Sequence, residues 1–420
     1  MDNTVYWIWL SLACTVDTGT FATLIEKFGD AKAVYDADDY SISACIGPKM
    51  SDRANLKNKD LERAEEIYSF CVKHRVGILT YSDDRYPASL RRIMTPPPLL
   101  YYRGKLPDFN SEFFVSVVGT RALSDYGRKN AFKISYDLAT AGATLVSGMA
   151  VGIDGVSLAG AIAAEKPTVA ILGSGIDVCY PAQHLTLARE IVKNGCIMTE
   201  YPPKTPPSKY NFPKRNRIIS GLSRATLVIE GKEDSGAMIT ARYAKEQGRE
   251  VFALPGNVSS EHSQLSNLLL KNGAKPCTSA EDILSHFEKD YPARINTFRL
   301  KERCPVDMMY TLRALEVVAN CPSDGIYTPA RKKTSRPSVA DRKPAFLRKE
   351  QPVQEAAPPA DFDREAIRLY KKIPQKGDCS VDDLVDGDTP LRDVMKLLLK
   401  LEMGKFIVML PGERVSRKTK

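Results

Sequence analysis

Cations and aromatic rings are crowded together between residues 204 and 217. Five basic and two aromatic residues share these fourteen positions with Asn216; they are Lys204, Lys209, Tyr210, Phe212, Lys214, Arg215 and Arg217. Cations pair with phosphates, and flat rings stack on unpaired bases. A solvated basic loop does not usually carry exposed Phe and Tyr. The composition therefore favours binding of a nucleic-acid strand over that alternative.

Turns rich in glycine and hydroxyl groups form a second set of candidate residues. Gly119-Thr120-Arg121 and Ser147-Gly148 each follow an apolar run, and Ser235-Gly236 opens a helical pattern. Backbone N–H groups in such turns can hold an oxyanion. The guanidinium of Arg121 adds a charge and a plane that stacks on a base. Each turn taken alone suits a purely structural tight turn equally well.

Motifs for catalysis or for cofactor binding are missing from the sequence. It contains neither the dinucleotide-binding Gly-x-Gly-x-x-Gly nor the P-loop Gly-x-x-x-x-Gly-Lys-Ser/Thr, and the cysteines form no Cys-x-x-Cys pair. Glu200 is a candidate general base, but no partner nucleophile accompanies it. A structural role for Glu200, bonding loop amides, is therefore favoured. We expect no catalytic residues, no metal and no cofactor.

Six short apolar runs alternate with helical patterns and would position these residues. The predicted strands are Phe113–Val118, Ala143–Ser147, Thr168–Leu172, Cys196–Glu200, Ala225–Glu230 and Glu250–Leu254. The predicted helices are 127–141, 155–165, 183–194, 214–222, 237–247 and 264–272. Unbroken apolar strands between helices are typical of an α/β doubly wound, mostly parallel, Rossmann-like sheet. Ligands bind beyond the carboxyl ends of its strands.

Four segments differ in composition. Residues 1–75 have the spacing of a helical module, and residues 76–290 contain the predicted sheet. Residues 291–360 are predicted to be a mostly disordered linker, with seven prolines between 322 and 360. Residues 361–415 suggest three helices and a strand, as in a winged helix. Its third helix carries mixed charges, so contact with a protein is at least as compatible with it as contact with DNA.

Composition limits the class of protein. The formal net charge of +9 favours an anionic partner. Nine cysteines, an odd and scattered set, suggest a reducing cytosol. The apolar N-terminus has an acidic second residue and no basic segment, which favours a buried helix over a signal peptide. No run approaches the ~20 apolar residues of a membrane span. We expect a cytoplasmic protein without a membrane partner.

The motifs in this order resemble the DNA-processing protein A family (DprA/Smf). The matching segments are VVGTR (117–121), SGMAVGID (147–154), GSGID (173–177), TEYPP (199–203), FPKRNRIISGLS (212–223) and SGAMITARYAKEQGREVFALPG (235–256). Three positions depart from the family pattern. Thr120 stands where Ser is common, Leu158 where His is common, and Leu265 where Gly is common. Leu158 has no imidazole to supply at this position.

The resemblance implies a non-catalytic protein that binds incoming single-stranded DNA during natural transformation, protects it and helps load RecA recombinase. It also implies an extended Rossmann fold that dimerises, a SAM-like N-terminal module and a C-terminal winged helix. Arg121, the Ser147-Gly148 turn, Lys209 and Phe212 would line the DNA pocket, with a base between Phe212 and Arg121.

Two further groups of residues have roles that the sequence leaves open. Arg215, Asn216 and Arg217 would either touch DNA or hold the loop, and a buried pair with a carboxylate is an equal alternative for Arg217. The apolar residues Leu265, Leu268 and Leu269 suggest a dimer interface or ordinary core packing, equally.

Two other functions remain compatible with the sequence. One is a Rossmann-like nucleotide hydrolase of the lysine-decarboxylase-like type, although its Gly-Gly-x-Gly-Thr-x-x-Glu pattern is absent. The other is a winged-helix DNA-binding regulator.

Overall fold

The structure is a computed structural model in which the chain divides into two units, residues 1–332 and 333–420. It describes residues 2–16, 18–46, 50–301, 328–329, 362–374, 378–384, 391–403, 406–410 and 414–417. Most of the predicted linker lies outside the described residues, and its expected disorder stays a prediction. No helix in the described part of the chain is long and apolar enough to cross a membrane.

Six helices form the N-terminal part of the first unit. They are α1 (Asn3–Ala13), α2 (Thr20–Phe28), α3 (Ala31–Asp36), α4 (Asp39–Ile46), α5 (Met50–Lys57) and α6 (Glu62–Lys73). Asp2 caps α1 by accepting a hydrogen bond from the Thr4 backbone N–H. Trp7 and Leu24 are buried between the helices. The predicted helical character of residues 1–75 is therefore present in the structure.

A nine-stranded sheet forms the centre of the first unit. Its strands are β1 (Gly77–Thr80), β2 (Leu99–Gly104), β3 (Phe113–Val118), β4 (Ala143–Ser147), β5 (Thr168–Ile171), β7 (Cys196–Thr199), β8 (Ala225–Val228), β9 (Glu250–Ala253) and β10 (Lys275–Pro276). Their spatial order is β1-β2-β7-β5-β4-β3-β8-β9-β10. The six predicted strands are confirmed as its parallel centre. Outside the sheet, β6 (Val178–Cys179) pairs in parallel with β11 (Thr328–Pro329).

Helices follow the strands and bury the sheet. They are α7 (Ala88–Arg91), α8 (Asp125–Thr140), α9 (Ile153–Ala163), α10 (Leu185–Asn194), α11 (Asn211–Leu222), α12 (Gly236–Glu246), α13 (Gln264–Lys271) and α14 (Ala280–Phe287). Short 3-10 turns lie at Ala182–His184, Glu261–Ser263 and Thr297–Lys301. Every residue of β3, β4, β5, β7 and β8 is buried, which explains their unbroken apolar runs.

The structure differs from the prediction at two places that matter for the site. In the segment 76–112 the sequence predicts a connection with one short strand at 77–81; that strand is present as β1, but β2 was not predicted, and it pairs antiparallel with β1 and with β7. The helix expected at 214–222 begins at Asn211. Pro213 is tolerated there because backbone N–H groups in a first helical turn have no partner within the helix. Part of the predicted basic loop is therefore the start of a helix.

The second unit contains two α-helices, Arg364–Lys372 and Leu391–Met403, in its described part. The predicted second helix at Ser380–Val385 is instead a 3-10 turn at Asp382–Leu384. Three strands, β12 (Asp378–Ser380), β13 (Ile407–Leu410) and β14 (Arg414–Arg417), pair in the order β12-β14-β13. The predicted strand at 405–410 is present, and β12 and β14 were not predicted.

Candidate nucleic-acid interface

The predicted site residues converge where the parallel strands end. Gly119 follows β3, Ser147 ends β4, and Glu200 follows β7. Since β7, β5, β4, β3 and β8 are neighbours in the sheet, these turns lie along one edge, which we call the carboxyl edge. The amide of Asn216 in α11 donates to the Gly236 carbonyl at 3.2 Å and so joins the start of α12 to this edge.

Three side chains form a stack at the carboxyl edge. The guanidinium carbon of Arg121 lies 5.5 Å from the centre of the Phe212 ring. The Tyr180 ring lies 5.5 Å from the Phe212 ring at an interplanar angle of 29°. Gly173 makes room for Phe212, because a Cβ at Gly173 would lie 2.7 Å from its ring. Arg121 and Tyr180 are exposed and Phe212 is half-buried, so the stack is open to a ligand.

The predicted base sandwich requires Arg121 to move. A base between two flat groups needs two van der Waals spacings, about 7–8 Å between their planes. The observed separation between Arg121 and the Phe212 ring is 5.5 Å. Arg121 would therefore swing outward by about 2 Å, which an exposed side chain can do by a small change of rotamer. In this structure the Arg121 guanidinium lies against the Phe212 ring, in the position where the predicted sandwich would place a base.

Tyr180 was not assigned to the site from the sequence. Its position after the third parallel strand was evident, because Tyr180-Pro181 follows the Gly173-Ser174-Gly175 turn. An aromatic side chain at a carboxyl end of the sheet was the signal that could have identified it.

The five cations of the basic stretch point to different surroundings. Lys209 is exposed, with its Nζ 5.2 Å from the ring of Tyr210, which is itself 69% exposed. Lys204 and Lys214 contact the N-terminal helical part. The Lys204 Nζ lies 5.7 Å from the Phe70 ring, and the Lys214 Nζ donates to the Val16 carbonyl at 3.1 Å. Lys209 is thus available to a ligand.

Arg215 is buried and ties α11 to the sheet. Its Nη1 donates to the Gly148 carbonyl at 2.9 Å and also to the Ile171 carbonyl, and its Nε donates to Asn216 Oδ1 at 3.1 Å. Burial lowers the pKa of Arg215 to about 10, and the nearby Asp154 carboxylate opposes that shift. Burial raises the pKa of Asp154, while Arg215 acts to lower it. Arg215 therefore holds the loop rather than presenting a charge to solvent.

The glycines of the turns make room for the protein's own groups. A Cβ at Gly148 would lie 2.5 Å from Arg215 Nη2 and 2.6 Å from Asp154 Oδ2. A Cβ at Gly119 would lie 2.6 Å from Ile153 Cγ1. The absence of a Cβ at these two glycines is therefore needed for packing within the protein. Their backbone N–H groups remain candidates for contact with phosphate.

Arg217 forms a buried ion pair with Glu200. Its two terminal nitrogens donate to the two carboxylate oxygens at 2.8 and 2.7 Å, and both side chains are 2% exposed. The Nε of Arg217 donates to Thr95 Oγ1 at 3.1 Å. Of the two alternatives for Arg217, the buried carboxylate pair is the one present. Glu200 has the structural role that the sequence favoured, but through an arginine rather than loop amides.

The hydroxyl groups at the site have mixed roles. Ser147 is buried, and its Oγ donates to the Val117 carbonyl at 2.7 Å, so it faces the sheet. Thr120 Oγ1 accepts from the Ala122 N–H at 3.2 Å and shapes the turn that carries Arg121. Ser235 Oγ is buried without a hydrogen-bond partner among the described residues. Gly236 is exposed with open space where a Cβ would lie.

Comparison with known proteins now identifies the family. A family model described as DNA recombination-mediator protein A matches residues 77–288. The chain belongs to this family. Its members are DNA-processing and recombination-mediating proteins rather than enzymes, as the sequence predicted.

Two curated relatives and one solved structure show the extent of the similarity. The chain is 39% identical over 208 residues to DNA processing protein DprA of Bacillus subtilis, covering 50% of this chain and 70% of that protein. It is 37% identical over 251 residues to DprA of Streptococcus pneumoniae, covering 60% of this chain and 86% of that protein. The X-ray structure of S. pneumoniae DprA is similar with a TM-score of 0.59 and 33% identity, over 68% of this chain and 98% of that one.

The departure from the DprA pattern at Leu158 lies in the core. Leu158 is fully buried in α9. An imidazole nevertheless lies near this helix, because the Cε1 of His184 would be 2.6 Å from a Cβ at Gly155. The His184 Nδ1 lies 2.9 Å from the carbonyl oxygen of Met149, whose φ of 54° is left-handed. His184 thus supports the turn after β4, a role that the sequence did not reveal.

The three leucines proposed for a DprA-type dimer interface are not equivalent. Leu265 is fully buried in the core, so it cannot present its side chain to a partner in this conformation. A Cβ at Gly231 would lie 2.9 Å from Leu265 Cδ2. Leu268 and Leu269 are half-buried and remain candidates for an interface.

Proposed function

We propose that this DprA-family chain binds single-stranded DNA at its carboxyl edge, protects incoming DNA during natural transformation and helps to load RecA recombinase. The observation that carries the proposal is the exposed stack of Arg121, Phe212 and Tyr180. A stack of rings and a guanidinium beside free cations suits unpaired bases, whose flat faces are accessible only in a single strand.

Each accessible group has a distinct proposed role. Phe212 and Tyr180 offer aromatic planes to bases, and Arg121 offers a plane with a charge. Lys209 offers a point charge to a phosphate. The backbone N–H groups of Gly119 and Gly148 and of the exposed start of α12 at Gly236 are proposed contacts for phosphate oxygens. Arg215, Asn216 and Arg217 act indirectly, because they hold in place α11, the helix that carries Phe212.

The finer organisation of the chain is also a proposal. We assign residues 1–75 to a SAM-like helical module, 76–290 to the DNA-binding core, 291–360 to a linker and 361–415 to a winged helix. In the described part of 361–415, two α-helices and a three-stranded sheet support that assignment. We further propose a cytoplasmic homodimer, with Leu268 and Leu269 at its interface.

Titration of an oligothymidine at several salt concentrations tests the function and the roles together. Phe212→Ala is expected to weaken binding by about 1–3 kcal/mol per stacked base while leaving the salt dependence nearly unchanged. Lys209→Gln is expected to weaken binding and to flatten the slope of log affinity against log salt by about 0.7, the share of one phosphate. Arg121→Lys is expected to bind more weakly than wild type, because an ammonium group does not stack.

The matched control is Lys271→Gln, which removes one exposed cation far along the chain from the proposed site. It is expected to bind like the wild-type protein. Wild-type affinity in Phe212→Ala would show that this ring serves packing only. Absence of binding by the folded wild-type protein would overturn the proposed function.

A further inference from the structure

The opposite edge of the sheet carries three arginines that the proposed DNA site does not use. Arg224 comes directly before β8, and Arg249 comes directly before β9. These two strands pair in parallel with Ala225 opposite Glu250, so Arg224 and Arg249 enter the sheet side by side. The Glu250 N–H donates to the Arg224 carbonyl at 3.2 Å, which fixes this register. We call Arg92, Arg224 and Arg249 the arginine cluster.

Arg249 links the third member to this pair. Its Nη2 donates to the carbonyls of Ser89 and Gly221, both at 3.1 Å. Ser89 belongs to the short helix α7, and Arg92 is the C-cap residue directly after that helix. Burial lowers the pKa of Arg249, and the positive charges of Arg224 and Arg92 lower it further. The hydrogen bond to Ser89 therefore joins the segment that carries Arg92 to Arg249, which enters the sheet beside Arg224.

The cluster lacks the negative partners that arginines usually find. Among the described residues, none of the three forms an ion pair, and Arg92 and Arg224 are exposed. Two donors in its floor, Arg249 Nε and Ser89 Oγ, are buried without a hydrogen-bond partner in the described part of the chain. Buried donors without an acceptor are costly, and like charges held together repel each other. An anion with several oxygens, held by the exposed Arg92 and Arg224, would relieve the repulsion between the like charges.

Part of this arrangement has a structural explanation. The Gly221 carbonyl lies near the end of α11, where the helix dipole is negative, so Arg249 also caps this helix. That role accounts for one terminal nitrogen of Arg249. It accounts neither for the Nε of Arg249 nor for the presence of Arg92 and Arg224.

We propose that the arginine cluster is a second phosphate-binding site, which takes a phosphodiester of a DNA strand that also occupies the carboxyl edge. The proposal rests on the proposed function, since it extends the path of the same strand. Arg224 precedes β8 and Glu230 follows it, so the two residues mark opposite edges of the sheet. They are six residues apart, which at about 3.3 Å per residue separates the two edges by about 20 Å. A strand that follows the surface between the edges must therefore be longer than one that fills the carboxyl edge alone.

The test uses oligothymidines of about 5 and about 30 nucleotides, the first at the short end of known single-strand site sizes. The double variant R92Q/R224Q is compared with K27Q/K271Q, which removes two exposed charges elsewhere. At about 0.1 M salt each lost phosphate contact corresponds to about fivefold in affinity. R92Q/R224Q loses the one phosphodiester contact of the cluster, so it is expected to bind the long strand about fivefold more weakly, with the salt slope flattened by about 0.7, and to bind the short strand like wild type. K27Q/K271Q is expected to bind both strands like wild type.

Other outcomes separate the ideas. Unchanged long-strand binding by folded R92Q/R224Q would overturn the second site and leave the first intact. Failure of the wild-type protein to bind either strand would overturn the proposed function itself. Inorganic phosphate that raises the melting temperature of the wild-type protein but not of R92Q/R224Q, with unchanged long-strand binding, would show a site for free phosphate and would overturn the DNA proposal.

Discussion

Removing the charge of Arg217 tests whether this residue supports the fold or touches DNA. In Arg217→Gln, Glu200 would keep its charge at a position where its side chain is 2% exposed. The variant also loses two hydrogen bonds of 2.8 and 2.7 Å and one of 3.1 Å to Thr95. Breaking a buried pair by removing one partner costs about 3–5 kcal/mol. In a unit of this size each kcal/mol lost lowers the melting temperature by about 2 °C. The melting temperature of Arg217→Gln is therefore expected to fall by about 6–10 °C.

The assay is thermal unfolding followed by circular dichroism, with DNA binding measured well below the transition. The matched control is Arg242→Gln, because Arg242 faces Glu246 at 3.9 Å and both are exposed. A surface pair of this kind contributes about 0–1 kcal/mol. Glu200→Gln/Arg217→Met should recover part of the lost stability, since it leaves no unpaired buried charge. The reasoning would be refuted if Arg217→Gln melted within about 2 °C of wild type yet lost DNA affinity.

Three further predictions follow from the same geometry. Gly148→Ala would place a Cβ 2.5 Å from Arg215 Nη2, so we expect a loss of about 1–3 kcal/mol in the free energy of unfolding, measured by urea titration. Burial opposes ionisation of Asp52, but threonine hydrogen bonds outweigh it and lower its pKa. The stability it contributes is present above its unfolded pKa, near 3.8, and is lost as pH falls through the lower folded value, so Asp52→Asn should remove that acid dependence of melting. Leu268→Glu should convert a dimer to a monomer in light scattering; a folded variant with the wild-type mass would contradict this.

Sequence patterns predicted the centre of the fold well, because strands buried on both faces must be apolar throughout. The same logic missed β2, since the three prolines before Leu99 suggested a connection. Proline is in fact tolerated directly before a strand, because its missing N–H is not needed there for pairing. A strand near the edge of the sheet is partly exposed, as β2 is, so its sequence is less uniformly apolar than that of a central strand.

The site was predicted less completely than the fold. Residue type singled out Arg121, Arg215 and Arg217 alike, because all three are arginines, and it could not show that Arg121 is exposed while Arg215 and Arg217 are buried. That distinction depends on Asp154 and Glu200, which reach these arginines only after the chain has folded. The sequence singled out the glycines at 119 and 148, but it could not show that neighbouring side chains fill the space where a Cβ would lie.

The proposed function requires the carboxyl edge to bind unpaired strands. The most direct measurement is a competition titration, in which the full-length protein holds a labelled oligothymidine and is challenged with unlabelled single strand or duplex of equal length at moderate salt. Single strand is expected to displace the label at far lower concentration than duplex, because bases in a duplex cannot reach the faces of Phe212 and Tyr180. Equal displacement by duplex and single strand would contradict it.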